Sequence, residues 1–141
     1  LIPLVLDAVS GNGIPVTVHG YDYETPDGTC IRDYIHVSDL AEAHLLALRA
    51  LEAGADSTAY NLSNGHGFTV KEVVASVERI TGLSVPLNLG PRRSGDPPAL
   101  IGDSQLIRRE LGWIPKFTDL DGIVTTAWRW HQKTSKHTAK D

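Results

Sequence analysis

The stretch from Gly20 to Asp39, GYDYETPDGTCIRDYIHVSD, limits what this chain can fold into more than any other part of it. Gly20, Pro26 and Gly28 forbid a helix through its first half, because Pro fixes φ and lacks an N–H while Gly tolerates positive φ. Asp27-Gly28 signals a turn. Beyond the turn, Cys30, Arg32, Tyr34 and His36 alternate with Ile31, Asp33, Ile35 and Val37. A short strand there would present Arg32 and Tyr34 on one face and Ile31 and Ile35 on the other, setting a cation beside a phenol.

Around this loop strands and helices mostly alternate, which predicts an α/β fold. Residues 1–10, LIPLVLDAVS, are apolar almost all round and suit a buried helix, with Pro3 in its first turn and Gly11 near its stop. Val16-Thr17-Val18-His19 reads as a β-branched strand. Apolar residues at 37, 40, 41, 45, 48 and 51, with His44 on the same stripe, predict a helix over 37–53, with Asp39 and Glu42 as a capping box. Strands are expected at 58–62 and 85–89. Between them Thr69 and Glu72 form a second capping box, for a helix whose Val70, Val73, Val74, Val77 and Ile80 make one stripe ended by Gly82. Residues 90–99, GPRRSGDPPA, make an exposed loop carrying Arg92, Arg93 and Asp96. Asp103 is expected to cap a short helix through Leu111, and Thr118 with Asp121 to open a last helix whose Leu120, Ile123, Val124, Ala127 and Trp128 face the core. The tail from Lys133 should fray.

A chain of 141 residues, 41% of them hydrophobic, can build one compact unit, and no repeat or long low-complexity linker divides it. Thirteen Lys and Arg against seventeen Asp and Glu give a net charge of −4, with basic residues scattered except in the last ten, so a nucleic-acid surface is not expected. The single Cys30 rules out an internal disulfide and fits a reducing compartment, most simply the cytoplasm. The longest apolar run holds Pro3 and Asp7 and falls far short of the roughly 20 residues of a membrane span. It also lacks the basic start of a signal peptide. With no initiator Met, and no Met at all, the chain is expected to begin inside a longer one.

Two arginines and a carboxylate carry the strongest chemical signal. A guanidinium grips phosphate bidentately and a carboxylate accepts hydrogen bonds from sugar hydroxyls, so Arg32, Arg93 and Asp96 on loops would suit a diphosphate joined to a ribose. The competing reading pairs Arg32 with Asp33 or another carboxylate and leaves Arg92 and Arg93 merely solvated. The histidines at 19, 36, 44, 66, 131 and 137 form no metal-ligand spacing. His44 is expected in the core and His36 in a structural role. Gly65-x-Gly67 lacks the third glycine of a dinucleotide loop and reads as a turn, and no GxSxG hydrolase motif occurs. Trp113, Trp128 and Trp130 are expected as core or interface anchors.

Four segments, LIPLVL, DYETPDGTCIRDYIHVSDLAEAH, YNLSNGHGFTVKEV and PRRSGDPPALIGDSQLIRRELGW, together resemble the C-terminal part of the UDP-galactose (UDP-glucose) 4-epimerase family. These are extended short-chain dehydrogenases/reductases. RDYIHVSD fits many nucleotide-sugar enzymes of that superfamily, whereas DYETPDGT is like the epimerases. The resemblance implies the C-terminal part of an extended Rossmann-type fold, a small mixed α/β substrate lobe with elements such as 58–62 joining the Rossmann sheet. Residues 1–132 would be the UDP-sugar-binding portion and 133–141 a flexible basic tail. It further implies that Arg32 and Arg93 grip the UDP phosphates, that Asp96 meets the uridine ribose and that Tyr34 lies near the nucleotide. Leu1 would start the helix lining the uridine pocket. Thr17, Val18 and His19 would form the strand edge facing the uracil, with His19 replacing a Phe that commonly stacks there. Leu100 would help size the sugar pocket.

The implied chemistry is hydride transfer from sugar C4 to tightly held NAD, rotation of the 4-keto intermediate and hydride return. It needs a Gly-rich phosphate loop and a Tyr-x-x-x-Lys pair. Neither is present, since Tyr21, Tyr23, Tyr34 and Tyr60 are followed four residues later by Thr25, Asp27, Ser38 and Asn64. No catalytic or NAD-binding residue is therefore assigned, and the expected partners are UDP-galactose or UDP-glucose and an NAD-binding N-terminal half. A homodimer is also admitted. The alternatives are a UDP-glucuronate epimerase or decarboxylase, against which DYETPDGT argues, and a non-catalytic UDP-sugar-binding module.

Overall fold

A computed structural model describes residues 1–11 and 13–138. Five helices and five short strands follow in the order α1 (Ile2–Val9), β1 (Val16–His19), β2 (Ile31–Arg32), α2 (Val37–Glu52), β3 (Phe68–Thr69), α3 (Val70–Thr81), β4 (Leu87–Gly90), β5 (Ala99–Leu100), α4 (Gln105–Leu111) and α5 (Leu120–Thr138). The α/β expectation is met. Helix α5 continues through Thr138, beyond Lys133, where fraying was expected to begin; residues 139–141 lie outside the described ones.

Two small sheets carry the topology. Strands β1 and β4 pair in parallel, Val16 opposite Leu87 and His19 opposite Gly90, while β2 lies between antiparallel β3 and parallel β5. Gly90 permits the first pairing. A Cβ there would come within 2.9 Å of Thr17 Cγ2 and 3.3 Å of the His19 ring, so the strands meet where one side chain is missing. The expected strand at 85–89 is displaced: the ladder begins at Leu87, after Pro86, whose carbonyl accepts the Val16 N–H at 2.9 Å.

The main core joins α1, β1, α3 and α5. Val5, Leu6, Val73, Val77 and Val124 are all nearly or fully buried, and the valine stripe of α3 faces inward as its spacing dictates. Helix α3 is closed at both ends, by the expected Thr69–Glu72 capping box and by left-handed Gly82. A second cluster gathers Ala43, Ile107 and Trp113, flanked by Leu62 and Tyr60.

Around that second cluster several expectations fail. Helix α2 forms over nearly the predicted span, but its apolar stripe points outward: Val37 is 72% exposed, and Leu45, Leu48 and Leu51 are about half exposed. The buried side instead carries Asp39 and Ala43. His44 is accordingly exposed rather than in the core, with Nδ1 against the Leu40 carbonyl at 2.8 Å. Residues 58–62 form no ladder, because no strand of the described chain lies beside them. Asp39 does not cap α2. His36 is the N-cap, accepting the Ser38 N–H at 3.0 Å, while Asp39 accepts the Lys116 and Phe117 N–H groups. His36 also meets Thr126 Oγ1 at 2.8 Å and stacks on Phe117, the structural role expected of it. At α5 the carboxylate of Asp119 takes the Gly122 N–H, and Asp121, expected to complete a box, pairs with Arg79 instead. Trp113 and Trp128 are core residues, but Trp130 is 68% exposed. Among the described residues no helix is long and apolar enough to cross a membrane.

Candidate nucleotide site

Strand β1, the start of α1 and β2 surround a cavity of about 470 Å³. The alternation of the 30–34 segment decides what enters it. Cys30, Arg32 and Tyr34 all line the cavity, whereas Ile31 packs towards Gly67 and Ile35 towards the second cluster. Only Ile31–Arg32 forms a strand, yet the period of two holds through Tyr34. Leu1, Thr17, Val18, His19 and Arg93 complete the expected set that borders the cavity. Leu100 does not border it: it lies beside Arg32 in the β2–β5 ladder, 60% exposed.

Asp96 links the two arginines. Its Oδ1 meets Arg32 Nη2 at 3.4 Å and its Oδ2 accepts from Arg93 Nε at 2.9 Å. Arg32 Nη1 also donates to the carbonyls of Ile31 and Pro97, at 2.7 and 3.0 Å, which fastens the guanidinium between β2 and the 91–98 loop. The carboxylate that Arg32 finds is thus Asp96 and not Asp33. Asp33 accepts instead from Ser63 Oγ at 2.5 Å and the Asn64 N–H at 3.1 Å, and Asn64 Nδ2 donates to the Tyr34 carbonyl. This brace sets the backbone on which Tyr34 stands.

Arg92 and Arg93 divide their tasks. Arg92 turns away from the cavity to Asp22, with Nε–Oδ1 at 2.7 Å, and its guanidinium lies 4.3 Å above the Tyr23 ring. That salt bridge holds the Asp22 carboxyl below the ordinary aspartate range. Gly20, at φ +81°, has to lack a Cβ, which would meet Tyr23 at 2.4 Å and Arg92 at 2.8 Å.

The turn signal Asp27-Gly28 anchors the same loop from the other side. Asp27 Oδ1 accepts the Thr29 N–H and hydroxyl at 2.8 and 2.7 Å, Oδ2 accepts from the Thr69 hydroxyl, and Lys71 Nζ reaches the Asp27 carbonyl at 2.7 Å. Burial pushes the Asp27 carboxyl up, but the Thr69 and Thr29 donors outweigh it and the net shift is downward. Sequence reasoning marked Asp27 only as a turn former; the Thr at 29 and the capping Thr69 gave no signal that one carboxylate joins them.

Burial, reinforced by Cys30 and opposed by Arg32, pushes the Tyr34 phenol up to about 12. That is the wrong direction for a tyrosine that must take up or release a proton near neutrality. The described residues do not fit NAD either. The first N–H groups of α3, after Gly65-x-Gly67, are already taken by the Cys30 carbonyl and the Thr29 and Thr69 hydroxyls, and the Asp27 carboxylate, which accepts from the Thr69 hydroxyl beside them, would repel a pyrophosphate. Gly67 is closed in by Ile31 Cγ2, 2.5 Å from where its Cβ would stand. Among the described residues no cluster of His, Cys, Asp and Glu could hold a metal ion.

Comparison with known proteins agrees with this arrangement. The NAD dependent epimerase/dehydratase family matches residues 1–63. The UDP-glucose 4-epimerase of Streptomyces lividans is 50% identical over 136 residues, covering 96% of this chain and 40% of that protein. A crystal structure of a UDP-glucose 4-epimerase superposes with a TM-score of 0.92 at 49% identity, over 96% of this chain and 41% of the other. That of the Bifidobacterium longum enzyme, in complex with NAD+ and UDP, gives 0.85 at 37% identity, over 96% and 40%. The chain therefore spans about two fifths of the length of the relatives it matches. By sequence and by fold this chain is similar to part of the UDP-glucose 4-epimerases, and its first 63 residues match the NAD dependent epimerase/dehydratase family.

Proposed function

We propose that residues 1–132 are the UDP-binding, C-terminal portion of an NAD-dependent UDP-glucose 4-epimerase that interconverts UDP-galactose and UDP-glucose in galactose metabolism. Arg32 and Arg93, which border the cavity together with Tyr34 and the edge of β1 and are joined through Asp96 behind them, carry this reading. Two guanidinium groups suit a diphosphate, and the strand edge with His19 offers a wall for a planar base. On this reading the remaining three fifths of such an enzyme hold NAD and supply the acid/base group, in keeping with a relative solved in complex with both NAD+ and UDP. The single Cys30, buried and free, suits a cytoplasmic protein.

Calorimetry tests the reading. UDP should bind this chain more tightly than uridine, and Arg32→Ala and Arg93→Ala should each remove most of that difference. Equal affinities for UDP and uridine would sink it. Mixing the chain with a separately produced NAD-binding half and assaying UDP-galactose conversion then distinguishes an enzyme portion from a non-catalytic module. A folded complex without turnover favours the module.

A further inference from the structure

Asn64-Gly65 is one of two Asn-Gly pairs in the chain, the other being Asn12-Gly13. In such a pair no Cβ shields the glycine nitrogen, which can close on the neighbouring carboxamide carbon and makes the asparagine labile. Asn64 is only 8% exposed, and its amide works as a clasp. Nδ2 donates to the Tyr34 carbonyl at 2.5 Å and to the Phe117 carbonyl at 3.3 Å, joining segments 30 residues before it and 53 after it. The Asn64 N–H donates to Asp33 Oδ1 at 3.1 Å, and the Gly65 N–H to Ser63 Oγ at 2.7 Å. We propose that Asn64 is a deamidation site, closed while the chain is folded and open once it unfolds, whose product cannot rebuild the clasp.

The reaction needs two things that the fold withholds. The Gly65 nitrogen bonds to Asn64 Cγ, its proton passes to the departing Nδ2, and ammonia leaves behind a five-membered succinimide. Water then opens the ring: attack at Cγ gives Asp at 64 on the ordinary main chain, and attack at the main-chain carbon gives isoaspartate. In the fold the carboxamide can turn towards the nitrogen only by breaking its two hydrogen bonds, and the proton of that nitrogen is held by Ser63. The product fits badly. Among the described residues Asn64 Oδ1 finds no donor while Nδ2 faces two carbonyl oxygens, so a carboxylate there would meet acceptors only, at the cost of a buried charge without partners. Isoaspartate adds a carbon to the main chain and moves the Gly65 N–H off Ser63. Each passage through the unfolded state therefore risks a permanent loss, in proportion to the time spent there. Because the clasp carries the Tyr34 carbonyl, that loss reaches the cavity, whatever ligand the cavity takes.

The whole chain, held for equal times at mildly alkaline pH in buffer or in urea and then returned to buffer, tests this. Size exclusion separates refolded from unfolded material, and peptide mapping by mass spectrometry distinguishes residue 64 from residue 12. Asn64 should be modified faster in urea by roughly tenfold or more, the protection that a closed structure confers. Asp and isoaspartate at 64 should then collect in the fraction that does not refold. Asn64→Asp, which carries one product from the start, should melt roughly 5 °C or more below the parent by circular dichroism. If that variant gives no fold, the parent's own two fractions decide. Equal rates in buffer and urea, or no modification of Asn64 in urea, overturns the proposal. So does modified Asn64 shared equally between the two fractions, or an Asn64→Asp that melts with the parent.

Discussion

The indole Nε1 of Trp113 donates to the backbone carbonyl of Asp39 at 2.9 Å, tying the first turn of α2 to the segment after α4. The Asp39 carboxylate completes the joint by accepting the Lys116 and Phe117 N–H groups at 3.0 and 2.9 Å. Asp39→Ala takes the acceptor from both N–H groups and should cost about 1–3 kcal/mol. Asp39→Asn keeps one carbonyl oxygen and should cost less. Urea denaturation of the two variants measures the difference, and equal losses would show that the carboxylate does not hold this segment.

Two leucines of similar sequence context should behave in opposite ways. Leu6 is 2% exposed in the main core, and Leu6→Ala should destabilise by about 2–5 kcal/mol. Leu48, on the predicted apolar stripe of α2, is 52% exposed. Leu48→Ala should change stability by no more than about 0.5 kcal/mol. A thermal melt in which Leu48→Ala falls as far as Leu6→Ala would contradict the outward orientation of α2.

Tyr34 should titrate late. Because burial raises its folded-state value to about 12, the folded protein holds the phenolic proton after the unfolded chain has released it. The contribution is complete below the ordinary tyrosine value of about 10 and is lost as pH rises from there through 12. Alkaline difference spectroscopy should therefore show one tyrosine that ionises only with unfolding, and Tyr34→Phe should remove it. A Tyr34 that titrates reversibly with exposed phenols would refute the burial.

Asp27 works at the opposite end of the pH scale. Its folded-state value lies below that of the unfolded chain, so its stabilisation is present above the unfolded value and disappears as pH falls through the folded one. Asp27→Asn should lower stability at neutral pH and flatten the acid limb of the stability curve. The Thr69 hydroxyl, which also caps α3, links this loss to the helix start. Hydrogen exchange at Lys71 and Glu72 should accelerate in the variant.

Much of this was legible in the residues. The alternation of Cys30, Arg32 and Tyr34, the valine period of α3 and the Thr69–Glu72 box are local patterns, and each appears in the fold as its spacing dictates. The orientation of α2 was not legible. Its apolar stripe is a sound helix signal, but which side finds a partner depends on elements far away in sequence, and Trp113 selects the side with Asp39 and Ala43. The same holds for 58–62, whose strand-like composition cannot create a neighbour to pair with. In the candidate site, the residue types pointed to an anion. That Asp96 joins both arginines, and that Ser63 and Asn64 brace Asp33 and Tyr34, depends on contacts more than 25 residues apart in most cases.

Arg92 and Arg93 are chemically identical neighbours whose side chains leave the loop in different directions, one to Asp22 and Tyr23 and the other to Asp96 and the cavity. Their difference is one of address rather than of chemistry. Adding a single residue before them would carry Arg92 into the place from which the cavity is reached, and removing one would carry Arg93 to the Asp22 side, with composition and charge nearly unchanged. The length of this segment is thus as much a part of its specificity as its two positive charges.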